Sequence, residues 1–229
     1  MGRKFSTSST ADRILYKGSW FELHQVTPRK DKPRELFVRI SGEHFACKAL
    51  VLHISKEDSR EYGLKKPIGR CRPKKFAKLV ENVIEDGRVN VPFLAVKRPI
   101  LHVPELGSNA HYLYEFGGGV AHNGEDNVEC GVREATEELG MHGRQILAYS
   151  KLLVPSPFDS GSHAEMVGIC VVLCQGKFRP PNREGIIQKR CRLIQFNKVK
   201  DFVRKKRKKG VIVEGYVDCA MALFNSHRN

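Results

Sequence analysis

The sequence predicts a mixed α/β protein, and three observations carry that expectation. Runs such as "FACKALVLHI" and "EMVGICVVLC" have the length and the aliphatic composition of buried strands. Stretches such as "KKFAKLVENVIEDG" place apolar residues at three- and four-residue spacing, the signature of an amphipathic helix. The two kinds of segment interleave, and no internal repeat is present. Hydrophobic residues form 41% of the 229 positions, which suits one domain with its own core. No apolar run approaches the roughly 20 residues a membrane-spanning helix needs, so no integral membrane segment is expected.

In chain order, residues 1–11, "MGRKFSTSSTA", hold Arg3, Lys4, five hydroxyl residues and no acid. Three readings fit: a flexible basic terminus, a short mitochondrial presequence, or an M-G-x-x-x-[ST] myristoylation signal through Gly2 and Ser6. Residues 12–44 form a β lead-in, two alternating runs around the turn-like "TPRKDKP". "FACKALVLHI" (45–54) is the first core strand. A basic insertion (55–90) follows, its helix closed by Gly87. "VPFLAVKRPI" and "HYLYEF" are strands, the second running straight into glycines. "QILAYSKLLV", "EMVGICVVLC" and "RCRLIQF" are further strands. "KVKDFVRKKRKKG" and "GYVDCAMALFNSH" read as terminal helices.

The formal net charge is +15, but the cations are concentrated. Residues 56–78 hold nine Lys/Arg against three acids, and residues 177–209 hold fourteen against two, so the remainder is net negative. Such basic surfaces attract phosphate-bearing partners. The seven cysteines are odd in number and scattered, several in apolar runs. They read as reduced thiols of an intracellular compartment, cytoplasmic or mitochondrial, with the nucleus admitted by "RKKRKKG". Cys170 and Cys174 read as strand core, because no second Cys/His pair follows at zinc spacing.

Against this charge, Glu115 to Met141 contains seven carboxylates and one cation, Arg133. A helix over 127–139, capped by Asp126 or Asn127 and closed by Gly140, gathers Val128, Val132, Ala135 and Leu139 on one face. Glu134, Glu137 and Glu138 fall together on the opposite side. Clustered carboxylates repel unless a cation sits among them, and hard divalent cations take such oxygen ligands.

The spacing is specific: Gly119, five residues, Glu125, seven residues, Arg133-Glu134, Ala135, one residue, Glu137-Glu138, one residue, Gly140, Met141. At every defined position this resembles the box of the Nudix hydrolases. The resemblance extends more weakly over about 45–225. It implies an α/β/α sandwich with a mixed central sheet, the box (119–141) forming a loop–helix–loop. It also implies hydrolysis of a nucleoside diphosphate linked to another group, with Mg²⁺ or Mn²⁺. Carried onto this chain, Glu137 and Glu138 become metal ligands, and Glu134 a ligand or the base that activates water. The Gly118 carbonyl becomes a further ligand, Arg133 orients the carboxylates, and Glu125 pairs across the loop–helix–loop.

For the substrate, "VPSPFDSGSHAE" puts Pro157 sixteen residues beyond Met141, which resembles the ADP-ribose pyrophosphatase branch. "YEFGGG" and "GYVDCAMALF" resemble that branch's entry to the box and its closing helix. Gly117 departs from the branch's proline, and Phe158 from a common glycine. The loop "QGKFRPPNREGIIQKR" is cationic where the branch is acidic. Its one acid, Glu184, reads either as a general base or as a solvated loop residue, and Glu165 is the other candidate base. Arg98, Pro157, Phe158, Phe178 and Arg179 are the expected substrate contacts. ADP-ribose or a related nucleotide sugar is the first expectation. The cationic loops admit two alternatives, an RNA 5′-end pyrophosphohydrolase or decapping enzyme, and an RNA-binding subunit of a ribonucleoprotein. A homodimer is compatible with all three.

Overall fold

The computed structural model describes residues 13–17, 21–26, 35–40, 45–97, 112–157, 166–181 and 188–228. Strands β1 (Arg13–Lys17), β2 (Phe21–Val26) and β3 (Glu35–Ile40) make a three-stranded antiparallel sheet in the expected lead-in.

The larger sheet is built on β4 (Ala46–Ile54) and β10 (Met166–Gln175), which pair in parallel along their length from Val167↔Ala46 to Gln175↔Ile54. Strand β9 (Ile146–Pro157) lies antiparallel to β10, and β5 (Gly69–Arg70) extends that side. On the other side come β6 (Asn90–Lys97), β7 (Tyr112–Glu115) and β12 (Ile212–Val213), with β11 (Gln188–Gln195) also paired to β6. Strand β8 (Gly118–Val120) pairs with the start of β4.

Side chains alternate across this sheet, as a two-residue period requires. Leu50, Leu52 and Ile54 of β4, with Ile169, Val171 and Leu173 of β10, enter one apolar cluster. Cys47, Ala49 and Val51, with Cys170, Val172 and Cys174, enter a second. The first is covered by α2 (Pro73–Glu85), α4 (Val199–Arg207) and α5 (Gly215–Ser226). The second is covered by α3 (Asn127–Leu139). Helices on both faces of a mixed sheet make the α/β/α sandwich. No helix among the described residues is long and apolar enough to cross a membrane.

The basic segment 55–90 contributes directly to this core. It holds the short α1 (Lys56–Glu61) and then α2, which buries Phe76, Val80, Val83 and Ile84 completely or nearly so. Each such side chain contributes up to about 1.5–3 kcal/mol of burial energy. Phe76 meets Phe224 of α5 edge-on, centroids 6.2 Å apart, so α2 and α5 lock to each other over the sheet. The cations of α2 remain on its outer face.

Candidate active site

Helix α3 begins where its sequence says it should. The Asp126 carboxylate accepts from Val128 N at 2.8 Å and Glu129 N at 2.9 Å, while Glu129 Oε2 accepts from Asp126 N at 2.9 Å. This reciprocal capping box satisfies the first free N–H groups. The D-x-x-E spacing at 126–129 announces it. Arg70 of β5 also bonds the Asp126 carboxylate. Asn127 is buried and donates to the Leu153 carbonyl at 2.6 Å, tying the helix start to β9. Gly140 ends the helix at φ 61°, a left-handed conformation that disfavours other residues. The Arg179 backbone packs where a Gly140 side chain would stand, and Arg179 N donates to the Leu139 carbonyl at 2.8 Å.

Of the face the spacing predicts, Val128, Ala135 and Leu139 are buried against the sheet and Val132 is partly buried. The carboxylate side differs from the solvated face that a helical wheel suggests. Glu134 and Glu138 are buried, and Glu137 is half exposed. The reason is β8, whose backbone lies against that side of α3. A Cβ on Gly119 would stand 2.3 Å from Glu134 Oε1, and one on Gly117 would stand 3.3 Å from the Glu138 Cβ. The two glycines therefore make the room in which these carboxylates sit.

Arg133 binds this cluster together. Its Nε donates to Glu125 Oε1 at 2.7 Å and its Nη2 to Glu125 Oε2 at 3.0 Å. Nη1 donates to Glu134 Oε1 at 2.6 Å and stands 3.6 Å from Glu137 Oε2. Nη2 also donates to the Val120 carbonyl at 2.9 Å. The bidentate bond to Glu125 closes the loop–helix–loop, since Glu125 also accepts from His122 N at 2.8 Å. The Arg133 guanidinium holds the Glu125 carboxyl below the usual carboxylate range, and Glu125 raises Arg133 in turn.

Gly118 lies beside these carboxylates on β8. Ala49 N donates to the Gly117 carbonyl at 2.9 Å, and Ala121 N to the Phe45 carbonyl at 2.8 Å. With Cys47 opposite Gly119, the ladder bonds fall on alternate residues, so the Gly118 carbonyl points away from β4. The donor set of three glutamate carboxylates and one carbonyl is the hard-oxygen chemistry that Mg²⁺ and Mn²⁺ take. Among the described residues, no three carboxylate, thiol or imidazole side chains already converge as a cage. In this arrangement Arg133 is the cation that Glu125, Glu134 and Glu137 share. By donor type the three glutamates and the Gly118 carbonyl suit a hard divalent cation.

Gly118, Arg133, Glu134, Glu137 and Glu138 are thus brought together on α3 and β8. Phe178 and Arg179 follow β10, past the end of α3. Phe178 is partly buried, its ring 4.9 Å from that of His53 and packed against the α3-side core. Pro157 is the last residue of β9. Arg98, Phe158, Glu165 and Glu184 lie outside the described residues. Cys170 and Cys174 are fully buried core thiols. Three features had no place in the sequence reading: the packing roles of Gly117 and Gly119, which a glycine run beside a carboxylate helix signals; the Arg70–Asp126 pair; and the Lys48–Glu214 pair at 2.7 Å. The last two join distant segments and have no local signal.

Among solved structures, the fold is similar to an ADP compounds hydrolase, at 12% identity over 95% of this chain and 91% of that one, with a TM-score of 0.51. A C. elegans Ap4A hydrolase in a binary complex aligns at 10% identity over 79% of this chain and 94% of its own, TM-score 0.41. The Nudix hydrolase RenU of M. smegmatis aligns at 15% identity over 75% and 80%, TM-score 0.37. No family model and no curated protein matches the chain. The first likeness is one of fold, and it covers nearly the whole chain. This chain shares the fold of that ADP compounds hydrolase, an α/β/α sandwich on which residues 119–141 are seated as a loop–helix–loop.

Proposed function

We propose that the chain is a divalent-metal-dependent hydrolase of a phosphoric anhydride bond in a nucleoside diphosphate linked to a further group, with ADP-ribose or a related nucleotide sugar as the first substrate class. The observation that carries this reading is the seating of Glu134 and Glu138 in a buried, glycine-lined recess beside the outward-facing Gly118 carbonyl. Glu134, Glu137, Glu138 and that carbonyl would hold Mg²⁺ or Mn²⁺, which would offset the phosphate charge and acidify a bound water. Arg133 keeps Glu134 in place and neutralises part of the cluster. Water adds to one phosphorus, the bridging P–O bond breaks, and a carboxylate accepts the water's proton. Glu134, Glu165 and Glu184 are the candidates for that last role.

RNA 5′-end hydrolysis is the second reading. It is favoured by the exposed cations of Lys177 and Arg179 just past α3, and by the basic last turn of α4. A panel of ADP-ribose, nucleotide sugars, dinucleoside polyphosphates, capped RNA and triphosphorylated RNA, with Mg²⁺ and Mn²⁺, decides between them. Conversion of ADP-ribose to AMP, lost in Glu138→Gln, supports the first. Release of phosphate or pyrophosphate from RNA ends supports the second. RNA binding without turnover of any substrate overturns both and favours a ribonucleoprotein subunit.

A further inference from the structure

A cleft of about 540 Å³ opens beyond the end of α3, and none of the box carboxylates lines it. Three segments far apart in the sequence build it: the end of β4 into α1, the turn after α3, and the turn after β10. Lys56, Arg144, Lys177 and Arg179 line it, with Glu57 as the one carboxylate. Among the described residues, no carboxylate lies within ion-pair distance of any of these four cations. That contrasts with Arg70, Arg133 and Arg207, each of which is bonded to a carboxylate. Four cations facing one carboxylate leave the cleft with an excess of positive charge, which an anion in the cleft offsets.

The walls are fixed rather than loose. The His53 ring Nε2 bonds the Gly176 carbonyl at 2.7 Å, joining the first segment to the third. Gln145 Nε2 donates to the Gln175 carbonyl at 3.0 Å, and Gln145 Oε1 accepts from His142 N at 2.7 Å, joining the second to the third. Arg179 is anchored by its backbone on Leu139 and Gly140. Burial pushes the His53 imidazole down, so near neutral pH its ring braces the wall as a neutral group and adds no charge. The volume lies in the range of small-molecule sites, and the lining favours a ligand with several negative charges.

We infer that this cleft is a second phosphate-binding site, distinct from the box carboxylates, that takes the phosphates of a nucleotide or of a nucleic-acid strand. It does not depend on the hydrolase reading, since phosphate binding here needs no metal.

The test uses the full chain in EDTA at low salt. ATP and a short 5′-phosphorylated oligouridylate are the probes, followed by calorimetry and by fluorescence anisotropy. Arg144→Glu/Lys177→Glu is compared with Lys74→Glu/Lys78→Glu on α2. All four residues are exposed, so both doubles should fold, and both change the net charge equally. The cleft double is expected to weaken binding by roughly tenfold or more, and the α2 double by less than about twofold. Loss with ATP assigns the site to free nucleotide; loss with the oligouridylate alone assigns it to a strand. Equal loss in both doubles, or no binding of either probe by the wild type, overturns the inference. Glu137→Gln should bind both probes like the wild type, which separates this result from the fate of the proposed hydrolysis.

Discussion

Gly119→Ala probes the recess beneath Glu134 with a single methyl group. Gly119 lacks the left-handed φ that marks Gly124 and Gly140, so alanine suits its backbone and the effect comes from the side chain alone. The added Cβ would lie 2.3 Å from Glu134 Oε1 and 2.7 Å from Oε2. Carbon–oxygen contacts need about 3.3 Å, so the carboxylate must retreat by about 1 Å. The Arg133 Nη1–Glu134 bond, now 2.6 Å, then passes out of hydrogen-bond range. Losing a charge-assisted bond at a buried carboxylate costs about 1.5–3 kcal/mol. For a chain of this size that lowers Tm by about 3–12 °C. A 1 Å misplacement of a reacting group lowers the rate by about 100-fold. Thermal unfolding and kcat/KM on the best substrate of the panel measure the two effects. Gly143→Ala is the control, because a Cβ there meets nothing within 4 Å; it should stay within about 0.5 kcal/mol of the wild type. A Gly119→Ala protein with the wild-type Tm and rate would refute the account of β8 as the floor of the site.

Three further outcomes follow from the same geometry. Glu137→Gln and Glu138→Gln, made separately, should each abolish metal-dependent turnover while melting within a few degrees of the wild type; near-normal turnover in both would remove them as ligands. Because the folded Glu125 carboxyl sits below its usual range, chiefly through Arg133, its contribution to stability is present above the unfolded value and is lost as pH falls through the folded one. The Tm gap between wild type and Glu125→Gln should therefore be full at neutral pH and shrink only in acid below the usual carboxylate range, and a gap that grows with acid contradicts this. Gly131→Ala would put a Cβ 2.2 Å from Cys170 Sγ and 2.8 Å from Cys47 Sγ. Overpacking of that kind costs about 1–3 kcal/mol, and Cys170→Ala should recover part of it, measured by denaturant unfolding.

Helix α3 was legible at its observed limits, Asn127–Leu139, because its signals are local: a capping residue, a 3.6-residue apolar period and a closing glycine. Strands β4 and β10 were legible for the same reason, as long aliphatic runs. Strands β5, β8 and β12 were not. Two or three residues long, they are strands by virtue of partners such as Cys47 and Leu113, which no local pattern names. The burial of Glu134 and Glu138 was hidden with them, since a helical wheel places these residues opposite the core and knows nothing of a glycine strand lying over them. The basic cleft was equally hidden: Lys56, Arg144, Lys177 and Arg179 become neighbours only through the pairing of β10 with both β4 and β9.

That pairing also bears on how the chain is made. Val171 of β10 faces Leu50 of β4, so the partner strand is synthesised about 120 residues later. At ribosomal rates this is roughly 6–24 s. In the interval, β8 pairs with Ala46–Lys48 alone and β6 with β4 at His53↔Asn90 alone. The emerging protein therefore carries a nine-residue apolar strand with an open edge, the kind of segment that draws chaperones during translation or pairs with another nascent copy when they are scarce.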